Sequence, residues 1–399
     1  MSTPGTELDV TPHGVAVGGD AVARDSDGRV VFVAGALPGE SVRVRVRTAK
    51  PRFAHAEVVE VIEPAPGRVD PACPHVASGC GGCGWAHVEP ELQRRLKTEM
   101  VAEALDRIGR LDRLPEIDPG PTLAPSGFRT TIRAAVTGGG AGYHKAASSE
   151  HLAVDSCRVA HPLVEELLVE GRFGDADEVV IRVGARTGER MVRVDPRADD
   201  VHVPDDVVVV GADELAGGRR AWIHEEIAGV KLRISADSFF QSRPDGAELL
   251  VESAAAALAG LDPSAILADL YCGVGLFAAT VGRDLRTVAV ERSRAAVADA
   301  RVNLAGTGAK VIGVGIERWR PSPVDAVVAD PPRSGLGRYG VTKVSATGAR
   351  RLALVSCDAG ALGRDAGLLV GQGWTLERVR LVDLFVDTPH IEVVSTFTR

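Results

Sequence analysis

The chain has 399 residues, 45% of them apolar and 25% charged, with a formal net charge of −8. These are globular proportions, and the length indicates two or three domains. No apolar run reaches the ~18 residues that cross a bilayer, and the first residues lack the charged-then-apolar pattern of a secretory signal. Membrane and secreted readings therefore drop out and a cytoplasmic protein is expected. A strongly basic protein is excluded, although a local basic face is not. The six Cys residues then point to metal or catalysis before disulfides.

Residues 1–62 read as a small β-barrel of short strands separated by Gly and Pro turns. Ser41 to Thr48 alternates strictly, which places Arg43, Arg45 and Arg47 on one strand face. Such a face suits a phosphate backbone, and equally a solvated exterior. Residues 63–88 are rich in Pro, Gly and Cys. Pro90 to Ile108 reads as a helix, with Leu92, Leu96, Met100 and Leu105 at helical spacing. Residues 126–240 read as mostly strands. From about 245, strands (Ile266–Tyr271, Thr287–Glu291, Ala326–Asp330, Leu352–Cys357) alternate with helices (Ala295–Leu304, Leu362–Val370), which is the pattern of a doubly wound α/β domain. The domains are thus expected at 1–62, 63–240 and 241–399, with helix 90–110 packing on the last.

Three loops at strand ends carry candidate chemistry. The first is Asp269-Leu-Tyr-Cys-Gly273-Val-Gly275-Leu276, where Gly273 and Gly275 allow a tight turn and close approach of a ligand. Glu291 ends the next strand, placed to accept hydrogen bonds from both ribose hydroxyls of a nucleoside. No Gly-Lys-Ser/Thr follows, and Ala278 stands where a dinucleotide site would want a third Gly. S-adenosylmethionine, which has no pyrophosphate, is therefore favoured. The second loop, Asp330-Pro-Pro-Arg333-Ser-Gly335, is stiffened by its prolines and holds Asp330 at the ligand-binding edge of the sheet. The third is Ser356-Cys357-Asp358, where Cys357 is a candidate nucleophile. Near the C-terminus, Glu392 is the candidate base.

Together these residues resemble the bacterial RNA uridine-5 methyltransferases that carry an N-terminal TRAM domain and an iron–sulfur cluster. The most specific pieces are Asp330-Pro-Pro-Arg-Ser-Gly, Val355-Ser-Cys357, Ser238-Phe-Phe-Gln241 and Cys80-Gly-Gly-Cys83-Gly-Trp85. The resemblance implies a multidomain α/β fold: an OB-like TRAM barrel, a β-rich central domain with the iron–sulfur unit, and a Rossmann-like methyltransferase domain. It implies Cys357 as nucleophile and Glu392 as base. It also implies that Gln241, Tyr271, Glu291 and Asp330 line an S-adenosylmethionine pocket, and that Cys73, Cys80, Cys83 and Cys157 hold a [4Fe–4S] cluster. The spacing of these four thiols suits zinc as well as a cluster. The implied partner is RNA, ribosomal rather than transfer RNA, gripped by the barrel and the cysteine unit.

The chain departs from the family pattern at four places. Arg243, Leu276 and Asp358 stand where the family usually has Asn, and Gly315 stands where an acid or amide would face the adenine. Weaker cofactor binding is expected from Leu276, which has no polar group. A raised thiol pKa at Cys357 is expected from Asp358. Two alternatives stay open: a methyltransferase acting on an amino group, and an RNA-binding protein of the same fold without methyl transfer.

Overall fold

Alternation builds the N-terminal unit. In the strand Ser41–Ala49, Val42, Val44 and Val46 are buried while the arginines between them face outward, since successive side chains leave a strand on opposite faces. In this computed structural model, which describes residues 3–399, six strands share one sheet. Their spatial order is Glu7–Val10, Ser41–Ala49, Phe53–Glu63, Val30–Ala34, Ala21–Arg24 and Gly14–Val15. The sheet encloses a small core that includes Val10, Ala21, Val31 and Val44.

A Cys-rich loop leads to the helix Pro90–Glu103, which continues as a π-helical turn, Ala104–Ile108. Pro90 opens the helix, where its missing N–H costs nothing. Two rows of side chains four residues apart are buried along it: Leu92, Leu96 and Met100, and beside them Gln93, Lys97 and Val101. Val101, Ala104 and Leu105 belong to the core of the C-terminal sheet, and Ile117–Asp118 is that sheet's edge strand.

The central sheet runs Val201–His202, Arg172–Phe173, Gly140–His144, Thr131–Thr137, Glu178–Val183, Arg190–Asp195, Val207–Gly211, with His151–Ala153 paired to Gly140–His144. Its core gathers Ile132, Val164, Leu167, Phe173, Val179 and Ile181. The hairpin Trp222–Ile227 and Val230–Ser235 instead sends Ile227, Leu232 and Ile234 into the core beneath the C-terminal sheet.

The C-terminal sheet orders its strands Lys310–Gly313, Arg286–Glu291, Ile266–Leu270, Ala326–Ala329, Arg351–Ser356, Val393–Thr398, Thr375–Leu381, Ile117–Asp118. The first five are parallel, and Val393–Thr398 inserts antiparallel to both its neighbours. The central strands Ala326–Ala329 and Arg351–Ser356 are buried along almost their whole length, as in parallel sheets that helices cover on both faces. Ile266–Leu270 has the next strand in the chain on one side and the later Ala326–Ala329 on the other, so the topology switches between Leu270 and Ala329. That is where open α/β sheets bind ligands. Among the described residues no helix is long and apolar enough to cross a membrane.

Candidate functional site

A cavity of about 820 Å³ opens at this switch point. Gln241, Tyr271, Gly273, Glu291, Asp330, Cys357 and Glu392 all line it, so one pocket collects the expected cofactor residues with the expected nucleophile and base. Gly275 is the exception. It is not in the wall; its φ of 93° makes the turn, and its α-carbon faces Leu304 and Ala300 behind the loop. Leu276 takes its place in the lining.

At the cofactor end, Tyr271 leaves its strand with φ 61°, a left-handed conformation that a bulky residue adopts only when its surroundings enforce it. Glu291 is fixed before any ligand arrives. One carboxylate oxygen accepts from Gly273 N–H at 3.1 Å, and the other from the N–H groups of Arg292 and Ser293 at 2.7 Å each. The place where the family pattern has an acid at 315 is filled from elsewhere: a side chain on Gly315 would collide with the carboxylate of Glu317, which lines the pocket. Burial and then the nearness of Glu317 push the Tyr271 hydroxyl up to about 12.

Asp358 turns away from the thiol it was expected to perturb. It caps the helix Ala359–Val370 by accepting from Ala361 N–H at 2.7 Å. Arg243 also leaves the pocket. It is buried, pairs with Asp245 at 2.7 Å and stacks on Phe128 at 4.1 Å.

At the reacting end, burial foremost, followed by the carboxylates of Glu392 and Asp330, raises the Cys357 thiol to about 12, while Arg333 pulls it down. Desolvation raises Asp330 to about 7. Burial, then Asp330, holds Glu392 well above the usual carboxylate range, and Arg333 opposes this too. Arg333 is therefore the cation that favours the charged forms of both Cys357 and Glu392. The sequence places it in the Asp-Pro-Pro-Arg loop but gives it no role. Its guanidinium lies 3.3 Å from His390 Nδ1.

Glu392 closes the neck of a loop, 382–392: Val382 N–H donates to its carbonyl at 2.8 Å. Residues of the helix Pro90–Glu103 grip that loop. Lys97 Nζ meets Asp383 Oδ1 at 2.6 Å and the Phe385 carbonyl at 2.9 Å. The Gln93 amide donates to Asp387 Oδ1 at 2.9 Å and accepts from Asp387 N–H at 2.8 Å. Neither Gln93 nor Lys97 is singled out by the sequence reading. The signal that could have found them is two polar residues four apart within a buried helical face.

Cys73, Cys80, Cys83 and Cys157 line a second cavity, of about 200 Å³, with Tyr143 and Asp387. Tyr143 donates to Cys157 Sγ at 3.3 Å. Burial raises the Cys80 and Cys83 thiols, Cys83 to about 12; after burial, Asp387 contributes at Cys83, and neighbouring thiols contribute at both. Among the described residues no three His, Cys, Asp or Glu side chains are grouped so as to hold a metal ion. The four thiols share the wall of this one cavity.

The arginine face on the barrel is not free. Arg43 pairs with Asp9 at 3.0 Å and Glu60 at 2.8 Å, Arg45 with Glu7 at 2.7 Å, and Arg47 with Glu57 at 2.5 Å. The strand therefore presents paired rather than lone cations, whichever of the two readings of this face holds. On the next two strands of the sheet, His55 and Phe32 stack with ring centroids 5.3 Å apart, and Lys50 lies over Phe53 at 5.3 Å.

The sheet order, the switch-point pocket and the strand-end loops define a methyltransferase fold. The comparisons narrow this. Residues 1–59 match the TRAM domain. A Streptomyces avermitilis protein described as an uncharacterized RNA methyltransferase is 36% identical, with 98% of each chain covered. A 23S rRNA (uracil(1939)-C(5))-methyltransferase of Alkalilimnicola ehrlichii is 30% identical over 99% of this chain and 97% of that one. The crystal structure of the Pyrococcus abyssi tRNA (uracil-54, C5)-methyltransferase, in complex with S-adenosyl-L-homocysteine, shares the fold: the TM-score is 0.74 at 21% identity, covering 98% of this chain and 99% of that one. The chain belongs to the RNA uridine-5 methyltransferase family with an N-terminal TRAM domain.

Proposed function

We propose that the protein transfers the methyl group of S-adenosylmethionine to carbon 5 of a uridine in ribosomal RNA, through a covalent adduct between Cys357 and carbon 6. The observation that carries this is the single cavity lined by Glu291 and Tyr271 at one end and by Cys357, Asp330 and Glu392 at the other. The choice of ribosomal over transfer RNA rests on the 30% identical relative, whose name specifies 23S rRNA.

Glu291, held by three backbone N–H groups, keeps a fixed edge toward the ribose hydroxyls, and Glu317 is placed for the adenine. Carbon 5 of uracil is a weak nucleophile. The Cys357 thiol first loses its proton to solvent, a loss that Arg333 favours. The thiolate adds to carbon 6, the ring electrons move onto the carbonyl oxygen as an enolate, and carbon 5 then displaces the methyl from the sulfonium. Glu392 next takes the carbon 5 proton. The C–H electrons become the 5,6 double bond, the carbon 6–sulfur bond breaks, and the thiolate leaves with its electron pair. Arg333 stabilises the negative charge that both steps carry. The target base must leave its stack to enter such a pocket.

Retention of Cys357, Asp330 and Glu392 in one pocket argues for this reading over an RNA-binding protein without transfer, and an amino-group methyltransferase would have no use for Cys357. The test is a pair of variants. Cys357→Ala should form no covalent RNA adduct. Glu392→Gln should transfer the methyl and then stall, leaving a methylated RNA–protein band on a denaturing gel. Turnover by Cys357→Ala would refute the covalent route.

The residues around the second cavity suit a four-iron cluster. Four thiolates are the ligand set of such a cluster, and zinc accepts the same four; the resemblance to the iron–sulfur members of the family favours the cluster. Cys73, Cys80, Cys83 and Cys157 would hold it. It would supply a covalent tie between the loop at 73–83 and the segment at 157, and no step of the methyl transfer passes through it.

A further inference from the structure

We infer that the helix Pro90–Glu103 is a clamp on the loop that ends in Glu392, and that Gln93 and Lys97 are positioning residues for the base. The inference rests on the proposed role of Glu392 and extends it to residues nearly 300 positions away in sequence.

Segment 382–392 is an excursion between the strands Thr375–Leu381 and Val393–Thr398. Its two ends are joined by the hydrogen bond between Val382 N–H and the Glu392 carbonyl. Unsupported, a loop of this length would leave its neck free to shear. Two supports reach it from one helix. Lys97, fully buried, grips the neck: its ammonium binds the Asp383 carboxylate, one residue from Val382, and the Phe385 carbonyl. Gln93, one helical turn earlier and also fully buried, grips the far side. Its amide binds Asp387 both ways, through the carboxylate and the backbone N–H, and also donates to the Val88 carbonyl at 2.8 Å.

Asp387 needs such support, because it sits at φ 60°, a conformation that a non-glycine residue keeps only when its contacts enforce it. Trp85 adds a third hold, donating its backbone N–H to the Asp387 carbonyl at 2.8 Å. Between these supports Phe385 lines the catalytic pocket. A buried ammonium beside Leu96, Met100 and Val101 is an expensive way to pack a helix. Its placement on Asp383 and Phe385, the first residues of the loop beyond Val382, is what that expense secures.

A base displaced by about 1 Å loses on the order of 100-fold in proton transfer, while binding of RNA and cofactor is largely spared, since neither Gln93 nor Lys97 lines the pocket. The test uses the full-length protein, labelled S-adenosylmethionine and RNA from a strain deleted for the gene. Gln93→Met removes the amide while the Asp387 carboxylate keeps its ion pair with Arg158. Lys97→Met removes the ammonium, and if it does not fold, Gln93→Met carries the test. The expected result is a fall in kcat of about 10- to 100-fold, a KM for RNA within about threefold of wild type, and accumulation of the methylated covalent RNA–protein band that marks slow elimination. Wild-type turnover without that band overturns the inference, and so does a loss of activity that appears in KM with no band. Failure of the underlying reading is separately visible, since Glu392→Gln would then give no trapped band either.

Discussion

Asp330 and Glu392 approach the same pocket from two different strands, and after burial it is Asp330 that holds the Glu392 carboxyl above the ordinary carboxylate range. Two carboxyls withdrawn from water side by side do not both ionise near neutrality. The pair therefore keeps a proton that Glu392 must lose before it can act as base.

The sign of the pH dependence follows. A base works only when deprotonated, so single-turnover release of product should rise with pH through the neutral range, in which Asp330 is held at about 7. Asp330→Asn removes the repulsion and should shift the rising limb to lower pH. Stability runs the other way. A carboxyl whose folded pKa is raised favours the folded state below its unfolded pKa, about 4, and that contribution is lost as pH climbs through the folded value. Asp330→Asn should therefore raise Tm more at pH 8 than at pH 5. A rate profile that does not move in this variant would detach Asp330 from Glu392.

Glu317 takes the place that Gly315 leaves open. Glu317→Ala should weaken S-adenosylmethionine binding by about 10- to 100-fold, the cost of a hydrogen bond to a charged group, roughly 1.5–3 kcal/mol. Gly315→Ala should weaken it less, because the colliding atom is the end of a flexible side chain. Titration calorimetry checks both, and equal affinities in wild type and Glu317→Ala would remove Glu317 from adenine recognition.

The contrast between Cys357 and Lys97 shows what a sequence discloses. Cys357, Asp330 and Glu291 are legible because parallel strands deliver their C-terminal residues to one edge, so local patterns of strand, turn and helix already place them. The same logic points Gly275 at the ligand, yet in a turn this tight one glycine, Gly273, faces the pocket and the other the protein behind it. Lys97 and Asp383 are 286 residues apart, and nothing local says that a helix from the cysteine unit will lie under the last loop. The ion pairs of Arg43 and Arg45 were hidden for a related reason. Their acidic partners Glu7 and Asp9 lie on a neighbouring strand in a register that alternation within one strand does not reveal.

The four-cysteine cavity gives an elemental prediction. Protein purified without oxygen should be brown and hold about four iron atoms per chain, and Cys83→Ala should lose the colour. Because all four cysteines lie outside the pocket around Cys357, loss of Cys80 or Cys83 should lower Tm and RNA affinity before it lowers single-turnover chemistry at saturating RNA. Stoichiometric zinc in place of iron would defeat the cluster.

The last prediction concerns where the barrel meets RNA. A cation already paired with a carboxylate releases little counterion when a phosphate replaces that partner, so it adds little to the salt dependence of binding. Arg43, Arg45 and Arg47 are all paired in this way. Among the described residues, Lys50 and Arg52 have no carboxylate partner, and Lys50 adjoins a cluster of the half-buried Phe32 and Phe53 and the exposed His55. Aromatic rings beside free cations are the usual means of holding a single strand. Replacing Lys50 and Arg52 with Ala should therefore flatten the slope of log affinity against log salt by about 1.4, at ~0.7 per contact on single strands. The triple Ala variant of Arg43, Arg45 and Arg47 should change it by less, despite removing one more positive charge. Phe53→Ala should weaken binding by roughly 1–3 kcal/mol with the slope unchanged, since stacking is not electrostatic. If the triple variant moves the slope by the full ~2 units expected of three free cations and the Lys50 and Arg52 variant leaves it alone, the RNA lies on the arginine strand after all, and the cross-strand carboxylates yield to phosphate on binding.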